Sequence, residues 1–392
     1  ALDRAIQGAY APASTFKALS VVAATKAGYN MNNKYNCPAK VKVGNRDFNN
    51  FEVKSQGFIN MEQAIAVSCD TIWYQIAYDE WVRDGGLTPK SSVNDYFFKN
   101  AKGFGLGKKT GIDLPDEVTG RLPDRQWKKN YWNANKEFFC NYQSRASKKD
   151  LTPYLIAIAK ENCTDGYIVR AGDAVNFSIG QGDTLVSPIQ MATIYAALAN
   201  GGTLYQPQIA RAFISAQGKV TKEFQPVVMG KTPQTSADTE FLHRALRAVV
   251  TRGTAAGVFS GFPVAVSGKT GTGQVLGRNA NGSAKDDTSW FASFAPSDNP
   301  RYAVVMVVSQ GGFGASVSAV GVKDIYSTIF GVKGNTVHPE LAVFPSTGPS
   351  RTLPKLDIKN AKEYKESLVV QPTINGSALP SPLSSTKKSV KP

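Results

Sequence analysis

Apolar residues recur at helical spacing almost from the start of the chain. Behind Pro12, the positions Phe16, Leu19 and Ala23 share one face, which predicts a largely buried helix beginning near Ala13 and ended by Gly28. The polar stretch that follows, through Lys54, reads as loop. A second helix is expected from Asn60-Met61-Glu62, carrying Ala64, Ile65 and Val67, and beyond Ser68 a third carries Ile72, Trp73, Ile76 and Trp81. Residues 103–165, rich in Gly, Pro, Lys and Trp, read as long surface excursions around a short helical piece. Ser187-Pro188-Ile189-Gln190 has the parts of a helix start: a serine cap, proline in the first turn and a glutamine able to reach back. Asn200-Gly201-Gly202 stops that helix. A further helix is predicted over residues 236–252, with Phe241, Leu242, Leu246, Val249 and Val250 inward and Gly253 as its stop.

The pattern then changes to strands. Residues 264–269 form a short apolar run entering a glycine-rich turn, and residues 289–295 and 302–308, joined by Pro296-Ser297-Asp298-Asn299-Pro300, predict an antiparallel hairpin. Residues 316–330 return as a helix. From about Pro345 the chain is rich in Pro, Ser, Thr and Lys, a composition that predicts disorder in at least its last part. The fold class expected is α+β, with helices packed on an antiparallel sheet.

A length of 392 residues suits one large domain or two ordinary ones, and 42% hydrophobic with 19% charged residues supplies a sizeable core. No apolar run approaches the roughly 20 residues that span a bilayer. Ala1-Leu2-Asp3-Arg4 lacks the apolar stretch of an export signal, so the sequence reads as a mature fragment. The formal charge of +15 is dispersed, with modest clusters at Lys128-Lys129, Lys148-Lys149 and Lys387-Lys388. No zinc-finger or RNA-binding signature accompanies it, so nucleic acid is not expected as a partner, and solvation near an anionic envelope fits better. The four cysteines, Cys37, Cys69, Cys140 and Cys163, contain no C-x-x-C pair. A Cys140–Cys163 disulfide is one of three open pairings, and four buried free thiols are the reading favoured. With only His243 and His338 present, neither a histidine metal site nor a Ser-His-Asp triad is readily built, and no cofactor is implied. Any nucleophilic serine here needs a different base.

Three short motifs supply one. Ser14 and Lys17 stand three residues apart at a helix start, which sets both on one face near free backbone N–H groups. A lysine in an apolar pocket beside a second cation can be held neutral and act as base. Two further S-x-x-K matches begin at Ser384 and Ser385, in the polar tail. Lys269-Thr270-Gly271-Thr272 follows an apolar strand, where a lysine and two hydroxyls make a carboxylate clamp. Lys109-Thr110-Gly111 spells the same letters but sits in a loop, so Lys269 is the choice. Ser68-Cys69-Asp70 lies between two helices, with a hydroxyl to relay a proton and Asp70 to tune the charge; an ordinary helix cap is its plainer reading.

S-x-x-K, S-D-N and K-T-G together mark penicillin-binding proteins and class A β-lactamases, and Ser68-Cys69-Asp70 ends with aspartate where that motif has asparagine. From Arg4 to about Gly331 the chain resembles a class B, monofunctional penicillin-binding protein of the elongation group. The likeness rests on longer stretches as well: Arg4-Ala5-Ile6-Gln7-Gly8-Ala9-Tyr10, Ser68-Cys69-Asp70-Thr71, Gly103-Phe104-Gly105-Leu106-Gly107 with Thr110-Gly111-Ile112-Asp113-Leu114-Pro115, Ser178-Ile179-Gly180-Gln181-Gly182, and Trp290-Phe291-Ala292-Ser293-Phe294-Ala295-Pro296. Ala13 stands where the family usually has glycine, a change expected to be tolerated. The resemblance implies an antiparallel sheet flanked by helices with an all-helical subdomain. It implies a transpeptidase domain over residues 1–335 and a C-terminal extension over 336–392, with N-terminal strands, pedestal and membrane anchor missing upstream. It implies attack by Ser14 on a D-alanyl peptide, Lys17 as base, and an oxyanion hole from the N–H groups of Ser14 and Thr272. Lys269, Thr270 and Thr272 would hold the substrate carboxylate, Gly271 would let its backbone approach, and Ser68 would pass a proton to the leaving group. Stem peptides, β-lactam antibiotics, elongation membrane proteins and a glycosyltransferase are the implied partners, and the outer face of the cytoplasmic membrane is the implied place.

The rival readings are a serine β-lactamase, a D,D-carboxypeptidase and a penicillin sensor that is acylated without turnover. Glu117, Glu137 and Glu161 are the glutamates weighed for the hydrolytic water of a β-lactamase. The cluster Trp127-Lys128-Lys129-Asn130-Tyr131-Trp132 reads first as aromatics pinning a long loop, and second as a face for glycan or a partner.

Overall fold

Behind Pro12 the chain enters a 3-10 turn, Ala13–Phe16, that runs without a break into helix α1, Lys17–Lys26. Every residue of α1 from Lys17 to Ala24 is buried, so it lies inside the fold rather than on its surface. The computed structural model describes residues 2–147, 151–217, 219–275, 277–279 and 281–343.

The stretch to Lys54, expected as loop, folds into strands. These are β1 (Lys34–Cys37), β2 (Lys40–Val43) and β3 (Arg46–Asn49), followed by β4 (Gly57–Asn60). β2 and β3 pair as a hairpin, and β1 pairs antiparallel with β4. Four-residue strands with lysine and asparagine on one face give too weak an alternation to stand out. Helix α2 (Met61–Ala66) starts on a reciprocal Asn60–Gln63 capping box, and α3 (Thr71–Arg83) and α4 (Tyr96–Gly103) follow.

Residues 103–165 also depart from expectation. They hold a 16-residue helix α5 (Arg125–Cys140), a short α6 (Tyr142–Arg145) and α7 (Pro153–Asp165), with Asp124 and Thr152 capping the two long ones. No residue of α5 is fully buried, and its aromatics at helical spacing, Trp127, Tyr131 and Phe138, stand among lysines and asparagines that mask the period. The aromatic cluster therefore lies on a helix: Trp127 stacks on Tyr131, while Trp132 donates to Asn162 O at 2.7 Å and meets Tyr167 edge-on, fastening α5 to α7. The four cysteines are not free. Disulfides join Cys37 to Cys69 and Cys140 to Cys163. Residues 32 positions apart, as in the first pair, meet only because β1 and β4 bring the chain back, which no local pattern shows.

Helix α8 (Ala171–Ser178) leads to α9 (Pro188–Ala199), which has the expected Ser187–Gln190 capping box. Strand β5 (Thr203–Tyr205) pairs with β8 (Val228–Lys231), and between them β6 (Ala212–Ile214) and β7 (Val220–Glu223) form a hairpin within a separate small unit. Helix α10 (Ser236–Arg252) has the predicted bounds, and a single turn, α11 (Ala256–Phe259), follows.

The main sheet of the described residues has the order β11-β10-β9, all antiparallel: β9 (Ser267–Gly273), β10 (Thr288–Ala295) and β11 (Tyr302–Val308). The fold is α+β, as the pattern implied. β9 begins at Ser267, three residues into the apolar run. β10 is wholly buried, with Trp290, Phe291 and Phe294 fully enclosed. Helices α9, α10 and α12 (Ser318–Phe330) pack on this sheet and complete one core with α1, α2 and α3. Beyond α12, Val332–Lys333 pairs with Thr336–Val337 (β12 and β13), and His338 N donates to Gly331 O at 2.8 Å. Ser384, Ser385 and the rest of the polar tail lie outside the described residues.

Candidate active site

The turn bearing Ser14 is held from several sides. Ala13 N donates to Gly180 O at 2.9 Å, Thr15 Oγ1 donates to Pro12 O at 2.6 Å, and Tyr195 OH donates to Thr15 O at 2.9 Å. Strand β9 passes directly beside it. A Cβ on Gly271 would lie 3.1 Å from both Pro12 O and Thr15 Cγ2, so the missing side chain is what lets the strand approach the serine turn. Gly271 itself faces that turn. Ser14, Ser68, Asp70, Thr270 and Thr272 all line one cavity of about 660 Å³.

Ser68 occupies the turn between α2 and α3 in the left-handed region, at φ +58°. Strain of this kind persists where surrounding bonds over-determine it. Lys17 Nζ donates to Ser68 O at 2.8 Å and to Ser68 Oγ at 3.1 Å, and pairs with Asp70 Oδ1 at 2.5 Å. From the other side Lys269 Nζ donates to Ser68 Oγ at 2.8 Å and to Thr270 O at 3.1 Å. One hydroxyl thus bridges two fully buried lysines. Burial pulls the Lys17 ammonium below its usual range, against the raising effect of the Asp70 carboxylate. Lys269 is driven well below, by burial first and by the Lys17 charge second. Two ammonium groups with a single close carboxylate favour loss of one proton from the cluster, which supplies a neutral amine without histidine.

Residues 1–327 match the penicillin binding protein transpeptidase domain family. The chain belongs to that family. It is 28% identical over 333 residues to the peptidoglycan D,D-transpeptidase MrdA of Haemophilus influenzae, covering 81% of this chain and 44% of that protein. The chain therefore spans about half the length of the curated relatives it matches. Among solved structures it is similar to Pseudomonas aeruginosa PBP2 in complex with WCK 5153, with a TM-score of 0.64 and 25% identity over 86% of this chain and 63% of that one. Helicobacter pylori PBP2, solved as a complex with MreC, shares the fold at a TM-score of 0.62 and 23% identity, over 83% of this chain and 51% of that one.

Several lining residues of this transpeptidase-family site carry no motif. Asn50 Oδ1 accepts from the backbone N–H groups of Asp70 (2.9 Å) and Thr71 (3.1 Å), while its Nδ2 donates to Pro38 O (2.9 Å) and Lys54 O (3.1 Å). It therefore fixes the segment that carries Ser68 and Asp70, beside the Cys37–Cys69 disulfide. Phe51 N donates to Asp70 Oδ2 at 3.0 Å. Thr254, just past α10, shares a 2.6 Å hydroxyl contact with Thr270, and Gln181 Nε2 donates to Thr272 O at 3.3 Å. Of these, Gln181 alone lies within a stretch that carries the family resemblance, Ser178-Ile179-Gly180-Gln181-Gly182.

The second K-T-G run is engaged elsewhere. Thr110 donates through both N and Oγ1 to Glu117 Oε1, each at 2.6 Å, and Gly111 N donates to Glu117 Oε2 at 3.0 Å. Glu137 pairs with Arg145 and Glu161 with Arg170, so none of the three glutamates weighed for hydrolysis lines the cavity.

Ala13, where the family usually has glycine, sits at φ +50° and is buried. Left-handed strain costs an L-residue about 1–2 kcal/mol, against roughly 0.8 kcal/mol for the buried methyl and up to about 1 kcal/mol of chain entropy. These nearly cancel, so Ala13→Gly should shift unfolding free energy by less than about 1 kcal/mol in denaturant melts. Ala13→Val, β-branched at positive φ with no room, should lose at least about 2 kcal/mol.

Proposed function

We propose that this chain is the catalytic domain of a D,D-transpeptidase that cross-links peptidoglycan stem peptides through an acyl group on Ser14. The observation that carries the reading is the Lys17–Ser68–Lys269 hydrogen-bonded chain at the floor of the cavity that Ser14 lines. The domain is taken as residues 1–335, and the extension as residues 336–392.

In the free protein Asp70 favours the charge on Lys17. A peptide carboxylate docking against Lys269, Thr270 and Thr272 favours the charge on Lys269 instead. Mutual repulsion then leaves the neutral amine on Lys17. Lys17 takes the proton of Ser14 as Oγ attacks the penultimate D-alanine carbonyl, and the N–H groups of Ser14 and Thr272 stabilise the oxyanion. Ser68, in contact with both lysines, passes a proton to the departing D-alanine amine. Attack by an amine of a second stem peptide forms the new amide and returns a proton to Ser14. A β-lactam ring opens on Ser14 by the same steps and stays attached.

The MrdA and PBP2 relatives support membership of the elongation machinery, with its membrane proteins and a glycosyltransferase as partners. They support action at the outer face of the cytoplasmic membrane. No helix among the described residues is long and apolar enough to cross a membrane.

The test is an intact mass of the chain after incubation with a β-lactam, followed by peptide mapping over time. One adduct on the peptide containing Ser14, stable for many minutes, is expected. An adduct that forms and clears within seconds would make this a β-lactamase, and a folded chain that takes no adduct would end the proposal.

A further inference from the structure

Two exposed phenylalanines meet across the mouth of the cavity. Phe51 follows β3 and is 57% exposed; Phe313 lies between β11 and α12 and is 36% exposed. Their rings stack with centroids 5.5 Å apart and planes 19° from parallel, and both line the cavity. Exposed apolar rings at a concave site mark a surface that contacts something.

Each ring is tied through its backbone to a different half of the catalytic apparatus. Phe51 N holds Asp70 Oδ2, and Asp70 holds Lys17. On the other side Gly314 N, one residue after Phe313, donates to Thr272 Oγ1 at 3.3 Å, and Ser289 Oγ donates to Phe313 O at 3.3 Å. A Cβ on Gly314 would lie 2.5 Å from Gly271 O and 2.7 Å from Trp290 O, so this loop rests directly on β9 and β10. The stacked pair therefore spans the cavity from the base side to the carboxylate side.

We propose that Phe51 and Phe313 form an aromatic bridge over the acyl-enzyme that selects its acceptor, favouring a peptide amine over water. The proposal rests on the Ser14 acyl-enzyme reading and deepens it. With an amine, a C–N bond forms at the ester carbonyl, the C–Oγ bond to Ser14 breaks, and the amine proton goes to Ser14. With water, a C–O bond forms, the same C–Oγ bond breaks, one proton returns to Ser14 and the other leaves as the new acid ionises. Base, oxyanion donors and leaving group are common to both routes, so the choice between them is a matter of access. A peptide acceptor gains by laying apolar surface on the rings and expelling water, whereas a lone water gains nothing from them.

The experiment supplies a pentapeptide ending in D-alanyl-D-alanine as donor and a peptide with a free side-chain amine as acceptor. Transfer and hydrolysis products are counted by mass spectrometry as a ratio per acyl group formed, so a change in acylation rate does not enter. Phe51→Ala and Phe313→Ala should each lower the transfer-to-hydrolysis ratio by about tenfold. The double variant should fall no further, because the rings act as one unit. Phe51→Tyr and Phe313→Tyr, which keep the stack, should hold the original ratio. A shorter lifetime of the β-lactam adduct in both alanine variants would report the same loss of shielding without any acceptor. An acylated parent chain whose ratio survives both alanine variants overturns the bridge alone, as does a fully additive double variant. A folded parent chain that accepts no acyl group overturns the Ser14 reading and the bridge with it.

Discussion

Lys17→Met should slow acylation of Ser14 by β-lactams about 10³- to 10⁴-fold, the range expected for loss of a positioned base. Methionine matches the length and apolar stem of lysine, so the dry pocket at the start of α1 stays filled. What remains is the Asp70 carboxylate, 5% exposed and deprived of its 2.5 Å partner. Breaking a buried pair from one side costs about 3–5 kcal/mol, so the variant should also unfold at lower denaturant. The two losses have different causes, and the Lys17→Met/Asp70→Asn double variant separates them. Removing both charges should recover much of the stability and none of the acylation. Stopped-flow acylation and denaturant melts on the same three proteins give the answer. Recovery of acylation in the double variant would show that Lys17 is not the base.

Asp70→Asn alone should change the pH dependence of acylation. Acylation needs a neutral Lys17, so its rate climbs with pH through the Lys17 pKa, which lies below the usual value of 10.5. The carboxylate is the influence that raises that pKa; without it, burial acts unopposed. The acid limb of the rate profile should therefore move to lower pH, while the plateau falls because a weaker base takes the proton. Stability follows the same linkage. A lysine whose folded pKa is depressed leaves the protein most stable above 10.5 and less so as pH falls through the folded value. Asp70→Asn widens that window on its acid side, so its stability deficit should be largest near and below neutrality, at about 3 kcal/mol or more. A limb that stays in place or moves alkaline would remove Asp70 from any part in tuning Lys17.

Sequence alone carried the helices with strong apolar periodicity and explicit punctuation. Asn60, Ser187 and Gly253 mark ends that the structure repeats, because a cap satisfies backbone groups within a few residues of itself. The β10–β11 hairpin was legible for the same reason, its two short apolar runs and the turn between them all being local. Ser14, Lys17, Ser68, Asp70 and the Lys269 strand were legible as fixed letters at fixed spacing, and the apolar run leading into Lys269, against the loop around Lys109, chose between the two copies of K-T-G. The short polar strands β1, β2 and β3 escaped because four residues give too brief an alternation to stand out, and α5 because its aromatics stand among lysines and asparagines. Only the tertiary structure joined Cys37 to Cys69, brought Asn50 beneath the Asp70 turn, and stacked Phe51 on Phe313 from positions 262 residues apart. The physical reason is common to all three. Each depends on two segments meeting across the core, and that meeting is decided by packing of the whole chain rather than by the residues beside it.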